Sequence, residues 1–189
     1  MTELTLKEKE RYFKNQKKVG KIIISHIKKK GLVLFGQKAT NRQLPKDLRK
    51  DTEDYDIFSP TPKKSAKRIE RKLDRKFKGN YFYVKPARHG GTHKVMSKIG
   101  DKGIVDVGKP ENKIPTIKRK GVKLATLKFQ KQQIKKSLKD KTSAWRHAKD
   151  REVRTRIKIA EQRKKLRKPI KRKQKYHVKE FKLNTKADF

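Results

Sequence analysis

Apolar residues recur with recognisable periods between about Val19 and Ala160 and thin out beyond Arg163. Over residues 6–30, Tyr12, Val19, Ile22, Ile23 and Ile27 fall roughly on one face of a helix, lysines cover the other, and Gly31 provides a stop. The run Leu32-Val33-Leu34-Phe35, closed by Gly36, is short and branched, which predicts a buried strand. A second strand is expected at Asp54-Tyr55-Asp56-Ile57-Phe58. Ser59-Pro60-Thr61-Pro62 breaks it and opens a helix on which Ala66, Ile69, Leu73 and Phe77 keep helical spacing as far as a stop at Gly79. Further strands are expected over 81–84, 94–96 and 103–107, and two more helices over 124–139 and 143–166. This order predicts an α+β fold, a mixed β-sheet with flanking helices. No internal repeat is visible.

Charge changes the picture most. The 189 residues hold 59 Lys plus Arg against 19 Asp plus Glu, a formal net charge of +40. Self-repulsion on that scale opposes a compact state unless a polyanion neutralises it. Nucleic acid is the polyanion this composition favours, because each neutralised phosphate releases counterions. Residues 164–175, Lys-Lys-Leu-Arg-Lys-Pro-Ile-Lys-Arg-Lys-Gln-Lys, read as a basic tail that orders on its partner. Lys164, Lys165, Arg167, Lys168, Lys171, Arg172 and Lys173 are its candidate RNA contacts. The chain divides into a basic N-terminal helix over 1–30, a central folded unit over 31–160 and the basic C-terminal tail over 161–189.

Hydrophobic residues make up 31%, enough for a modest core, and the absence of cysteine excludes disulfides and thiolate metal sites. No apolar run approaches membrane-spanning length, and the polar start of the chain lacks a signal peptide's apolar segment. The expectation is a protein that stays where it is made, cytoplasmic or virion-associated, with no membrane role.

Against so much positive charge, a few acids stand out. Asp54 and Asp56 are one residue apart on an expected strand, so their side chains share a face while Tyr55 and Ile57 point into packing. Two adjacent carboxylates repel each other unless a cation lies between them, and hard divalent ions such as Mg²⁺ favour such oxygens. Asp106 sits among apolar neighbours in Ile104-Val105-Asp106-Val107, where an unpaired acid is costly to bury. With these strands adjacent, three carboxylates converge in a pattern suited to two-metal phosphoryl transfer. Gly36, ending a strand and opening Gln37-Lys38-Ala39-Thr40-Asn41, adds a glycine turn whose backbone N–H groups suit phosphate.

Leu34-Phe35-Gly36, then Asp54-Tyr55-Asp56-Ile57, then Asp106 form an ordered set that resembles the DNA polymerase β-like nucleotidyltransferase superfamily. Within it the chain is most similar to the poly(A) polymerases of large DNA viruses. Residues 36–41 are similar to their Gly-Gly-x-Ala-x-Asn turn, and residues 54–59 to their catalytic strand. His89-Gly90-Gly91-Thr92 resembles a His-x-Gly-Thr motif before a strand. Ile114-Pro115, Lys120-Gly121-Val122 and residues 144–150 resemble downstream segments.

The likeness covers about residues 15–160 and makes 31–160 a nucleotidyltransferase-like domain. It implies Asp54, Asp56 and Asp106 as catalytic residues and ligands of Mg²⁺ or Mn²⁺. It implies Gly36, Gln37, Asn41, Thr92, Arg146 and Lys149 as nucleotide-binding residues. Gln37 departs from the usual Gly or Ser and is expected to crowd the turn. The additional domain of larger members has no counterpart here apart from the basic termini. His89 and His93 read either as structural histidines or as nucleotide contacts. Arg146, Lys149 and Arg154 read either as a solvated helix face or, by resemblance, Arg146 and Lys149 face phosphates. Trp145, Tyr81, Phe82 and Tyr83 read as core packing rather than base platforms.

The leading expectation is template-independent transfer of a nucleoside monophosphate, AMP preferred, from a nucleoside triphosphate to an RNA 3′-end. The alternative is a non-catalytic RNA-binding protein, ribosome- or virion-associated, that reuses the fold in a ribonucleoprotein or virion assembly. A DNA gap-repair enzyme ranks last, since no gap-binding module is recognisable.

Overall fold

A computed structural model describes residues 5–87 and 90–166. Helix α1 spans Leu6–Lys30. A reciprocal cap starts it: the Glu8 N–H donates to the Thr5 hydroxyl, and the Thr5 N–H donates to the Glu8 carboxylate at 2.9 Å. Gly31, at φ 61°, ends it in the left-handed conformation, with three lysines in the last turn where the helix dipole favours cations. Tyr12, Val19, Ile23, His26 and Ile27 form its buried stripe.

Strand β1 (Val33–Phe35), the short helix α2 (Gly36–Asn41), strand β2 (Tyr55–Phe58) and helix α3 (Pro62–Phe77) follow. Pro62 occupies the first turn of α3, where its missing N–H costs nothing. Lys78, at φ 54°, takes the left-handed capping position one residue before the expected stop at Gly79. Strands β3 (Phe82–Pro86), β4 (His93–Ser97) and β5 (Lys102–Gly108) complete one half of a sheet.

The region after β5 corrects the sequence reading. Residues 124 and 125 were expected to open a helix, but Thr116–Arg119 and Val122–Ala125 form a hairpin, β6 and β7. Lys120 and Gly121 make its turn, with φ of 47° and 77°, the positive pair a tight two-residue hairpin requires. The Thr126 hydroxyl then caps helix α4, Leu127–Ser137, by accepting from the Phe129 N–H. The last expected helix is two pieces. Asp140 caps a 3-10 segment over Lys141–Arg146, and helix α5 runs from His147 to Leu166.

The seven strands form one mixed sheet in the order β3-β4-β5-β2-β1-β7-β6, so the expected α+β architecture is present. β2 lies between antiparallel β1 and parallel β5. Alternation sends Leu34, Ile57, Val95, Val105, Val107, Val122 and Leu124 to one face. There they join Ile23, Ile27, Ile69, Leu73 and Phe77 from α1 and α3 in the main core, so α1 packs as part of the same body as the sheet. Truncating one of these fully buried side chains to alanine costs about 2 to 5 kcal/mol.

A smaller cluster of Leu44, Ile134, Val153 and Ile157 joins α4 and α5 to the segment between α2 and β2. The Thr40 hydroxyl donates to Gln130 on α4 at 2.9 Å, and the Gln43 amide donates to the Ala125 carbonyl at 2.9 Å. These bonds dock α2 and its following turn beside β7 and α4. Among the described residues, no helix is long and apolar enough to cross a membrane.

Candidate active site

The face of the sheet opposite the main core carries the acids. β2 and β5 pair in parallel register, with Asp56 directly beside Asp106. On the other side Asp56 pairs with Phe35, the residue before Gly36. Gly36 has φ 64°, and a Cβ at that position would lie 1.9 Å from the Asp56 carboxylate oxygen. Only glycine lets the β1–α2 turn close down on this acid.

Electrostatics show which groups share the site. The Asp56 carboxyl is pushed up to about 7 by burial first, then by the charges of Asp54 and Asp106, with Lys149 and Arg146 opposing the rise. Asp54 accepts a hydrogen bond from the Thr52 hydroxyl. The Lys38 amine donates to the Thr52 carbonyl and lies 4.5 Å from the centre of the Tyr55 ring. Burial depresses the Lys38 pKa, and the charge of Asp54 partly offsets this.

Asp106 has a partner that its sequence context did not reveal. Lys94, opposite it in the β4–β5 ladder, places its Nζ 3.0 Å from Asp106 Oδ2. Arg146 donates from Nε and Nη2 to the two oxygens of Asp150, at 3.1 and 3.2 Å. Asp150 is 3% exposed, so it orients this guanidinium from the protein side. Neither Lys94 nor Asp150 carries a signal in one sequence, because lysines are everywhere and Asp150 reads as ordinary helix charge.

Gln37 does not stand free at the turn. Its amide N–H donates to Asn41 at 2.8 Å and its carbonyl accepts from Arg156 at 2.9 Å. Arg156 also reaches the Leu48 carbonyl at 3.3 Å, so the crowding expected of Gln37 is taken up in a bridge from α2 to α5. Asn41 donates in turn to the Lys50 carbonyl. The Gln37 and Asn41 side chains are thus committed to the scaffold, and the backbone of the turn is what they leave for a ligand. Thr92 immediately precedes β4, beside the C-terminal end of β5, with its hydroxyl 3.5 Å from where a Cβ on Gly108 would be.

Trp145, expected in the core, is 77% exposed, because the 3-10 segment lifts it off the α4–α5 cluster. Tyr81 and Phe82 are fully buried, as expected, while the Tyr83 hydroxyl donates to Asp101. Lys164 and Lys165 are exposed on the last turn of α5. Arg167, Lys168, Lys171, Arg172, Lys173 and His89 lie outside the described residues.

The donor chemistry fits a hard divalent cation. Burial first, and then the Asp54 and Asp106 carboxylates, hold Asp56 toward protonation, and a cation beside it would offset that cost. The arrangement is not closed around an ion, however. Among the described residues no three or more His, Cys, Asp or Glu side chains are grouped to hold a metal, and Asp106 is turned to Lys94.

No protein-family model matches the chain, and no curated protein matches it by sequence. A solved structure does match by fold, the crystal structure of the Megavirus polyadenylate synthase, with a TM-score of 0.61 at 18% sequence identity. The match covers 76% of this chain and 31% of that protein, so the chain spans about a third of its structural neighbour. The acid-bearing mixed sheet flanked by helices is a nucleotidyltransferase-like fold.

Proposed function

We propose that the protein is a template-independent nucleotidyltransferase that adds nucleoside monophosphates, AMP by preference, to RNA 3′-ends. The observation that carries this reading is Asp56. It lies beside Asp106 and under Gly36, close enough to Asp54, Arg146 and Lys149 to feel all their charges. The likeness to the Megavirus polyadenylate synthase supports the choice of reaction.

In the proposed reaction the RNA 3′-hydroxyl oxygen attacks the α-phosphorus of a nucleoside triphosphate. The new P–O bond extends the chain by one nucleotide, the bond to the β-phosphate breaks, and pyrophosphate leaves. Asp54 and Asp56 would hold Mg²⁺ or Mn²⁺, with Asp106 completing the set, and the ions would supply charge neutralisation and an activated hydroxyl. Lys94 must release Asp106 for that role, so the Lys94–Asp106 pair marks a resting arrangement. Arg146, braced by Asp150, and Lys149 would face the phosphates. The Gly36 turn would offer backbone N–H groups to the β- and γ-phosphates.

The test is one incubation of the protein with a labelled RNA oligonucleotide, each nucleoside triphosphate in turn, and Mg²⁺ or Mn²⁺. A ladder of extended products, strongest with ATP, is expected.

The Lys94–Asp106 ion pair at 3.0 Å also favours a second reading. In it the acid is structural and the +40 chain only binds RNA within a ribonucleoprotein or virion. That reading predicts tight, salt-sensitive binding with no product ladder under any nucleotide or metal.

A further inference from the structure

The open face of the sheet continues past the acids into a groove that the reaction above does not use. A cavity of about 530 Å³ lies between α4 and the segment joining β5 to β6. Asn112, Lys113, Phe129, Lys135, Lys136 and Lys139 line it, and no acid does. On α4, Phe129 and Lys136 lie two turns apart, away from the stripe that buries Gln130 and Ile134, and Lys139 stands in the turn just past the helix end. About 10 Å of helix separates Phe129 from Lys136. Lys50, Lys94, Lys102 and Lys131 each find a carboxylate elsewhere in the molecule. The four groove lysines have no ion-pair partner among the described residues.

Aromatic contacts connect this groove to the acids. The Phe129 ring meets Phe58 edge-on, with centroids 6.3 Å apart. Phe58 stacks on Phe35 at 3.8 Å, and Phe35 is the register partner of Asp56. A line of ring contacts thus leads from four unpaired cations to the acidic strand.

We propose that the α4 groove is the track for the single-stranded 3′ segment of the RNA. Lys113, Lys135, Lys136 and Lys139 take backbone phosphates, and Phe129 provides a face on which a base stacks as the strand runs toward Asp56. This rests on the reading of the site as one that extends RNA 3′-ends. Lysines beside an aromatic floor match single-stranded nucleic acid, whose bases stack without sequence preference. A purely acidic peptide would match the lysines but not the ring.

The test measures binding of a labelled single-stranded RNA oligonucleotide by fluorescence anisotropy across a salt series, without nucleotide or metal. The variant K135A/K136A/K139A is compared with K14A/K17A/K21A, which removes the same charge from exposed positions on α1, on the covered side of the sheet. The groove variant is expected to bind about tenfold or more weakly at physiological salt. The slope of log affinity against log salt should fall by about 2, at roughly 0.7 per lost phosphate contact. The α1 variant should lose about threefold or less. F129L, checked for folding by thermal melting, should weaken RNA binding while leaving competition by polyglutamate unchanged.

Equal losses in the two lysine triples would overturn the proposal, as would polyglutamate displacing RNA and depending on Phe129 equally. Because the assay contains no nucleotide or metal, its outcome does not depend on catalysis. If wild type extends RNA but the groove triple binds it with wild-type affinity, the track is wrong and the transferase reading stands. If no extension ever occurs but the groove dependence holds, the track stands without it.

Discussion

On β5, Val105 and Val107 are sealed in the core that α1 and α3 close, while Asp106 between them faces Lys94 on the open side. On β2 the same alternation separates fully buried Ile57 from Asp56. The covered face is apolar, as a face that exists to fold should be. The open face places like charges side by side and squeezes a glycine turn against one of them, which lowers stability and, under the proposed function, serves a ligand. Strand periodicity lets adjacent residues serve these two purposes.

Substitutions one residue apart should therefore fail in different ways. The largest effect is expected at Asp106. Asp106→Ala should reduce nucleotide incorporation on the order of a thousandfold or more while leaving RNA affinity within about threefold, read from extension and anisotropy on the same preparation. Gly36→Ala comes next. Its Cβ would displace the Asp56 carboxylate, so incorporation should fall about a hundredfold, with about 1 kcal/mol of destabilisation from the left-handed backbone.

On the covered face, Ile57→Ala should reverse that pattern. It should cost about 2 to 5 kcal/mol in urea unfolding, yet leave the activity of the folded fraction close to wild type. If Ile57→Ala abolished incorporation at unchanged stability, the division between the faces would be broken.

The smallest effect is a pH dependence. The Asp56 carboxyl is raised from 3.8 to about 7 in the folded protein. Between those values the unfolded chain has lost this proton and the folded chain still holds it. Stability therefore falls as pH rises through that window, and the penalty is complete above pH 7. Asp56→Asn removes the penalty. It should match wild type near pH 4 and exceed it by on the order of 1 to 3 kcal/mol at pH 8, while losing activity. An equal stability difference at both pH values would mean that the Asp56 carboxyl is not raised in the folded protein.

Where one face of an element is buried and the other wet, periodicity made it legible. Helices α1 and α3, strand β1 with its glycine turn, and the Asp-x-Asp strand all stand where their patterns put them. The β6–β7 hairpin was missed because Leu124, Leu127, Ile134 and Leu138 continue a helical spacing backward into a strand. The competing signals were Lys120-Gly121 as a turn and Thr126 as a cap.

Trp145 was misplaced because the 3-10 segment changes the phase of what reads as one helix. At the site, the acids stood out because acids are scarce. Lys94, Asp150 and Arg156 did not, since what distinguishes them is a partner across the sheet or between helices: Asp106, Arg146 and Gln37.

The most direct measurement sets wild type beside Asp54→Ala, each incubated with labelled RNA, ATP and Mg²⁺ or Mn²⁺. Extended RNA from the wild type alone, with both proteins retaining salt-sensitive binding, is the outcome this account predicts. Undiminished extension by Asp54→Ala, or none from wild type with any nucleotide while binding persists, would contradict it.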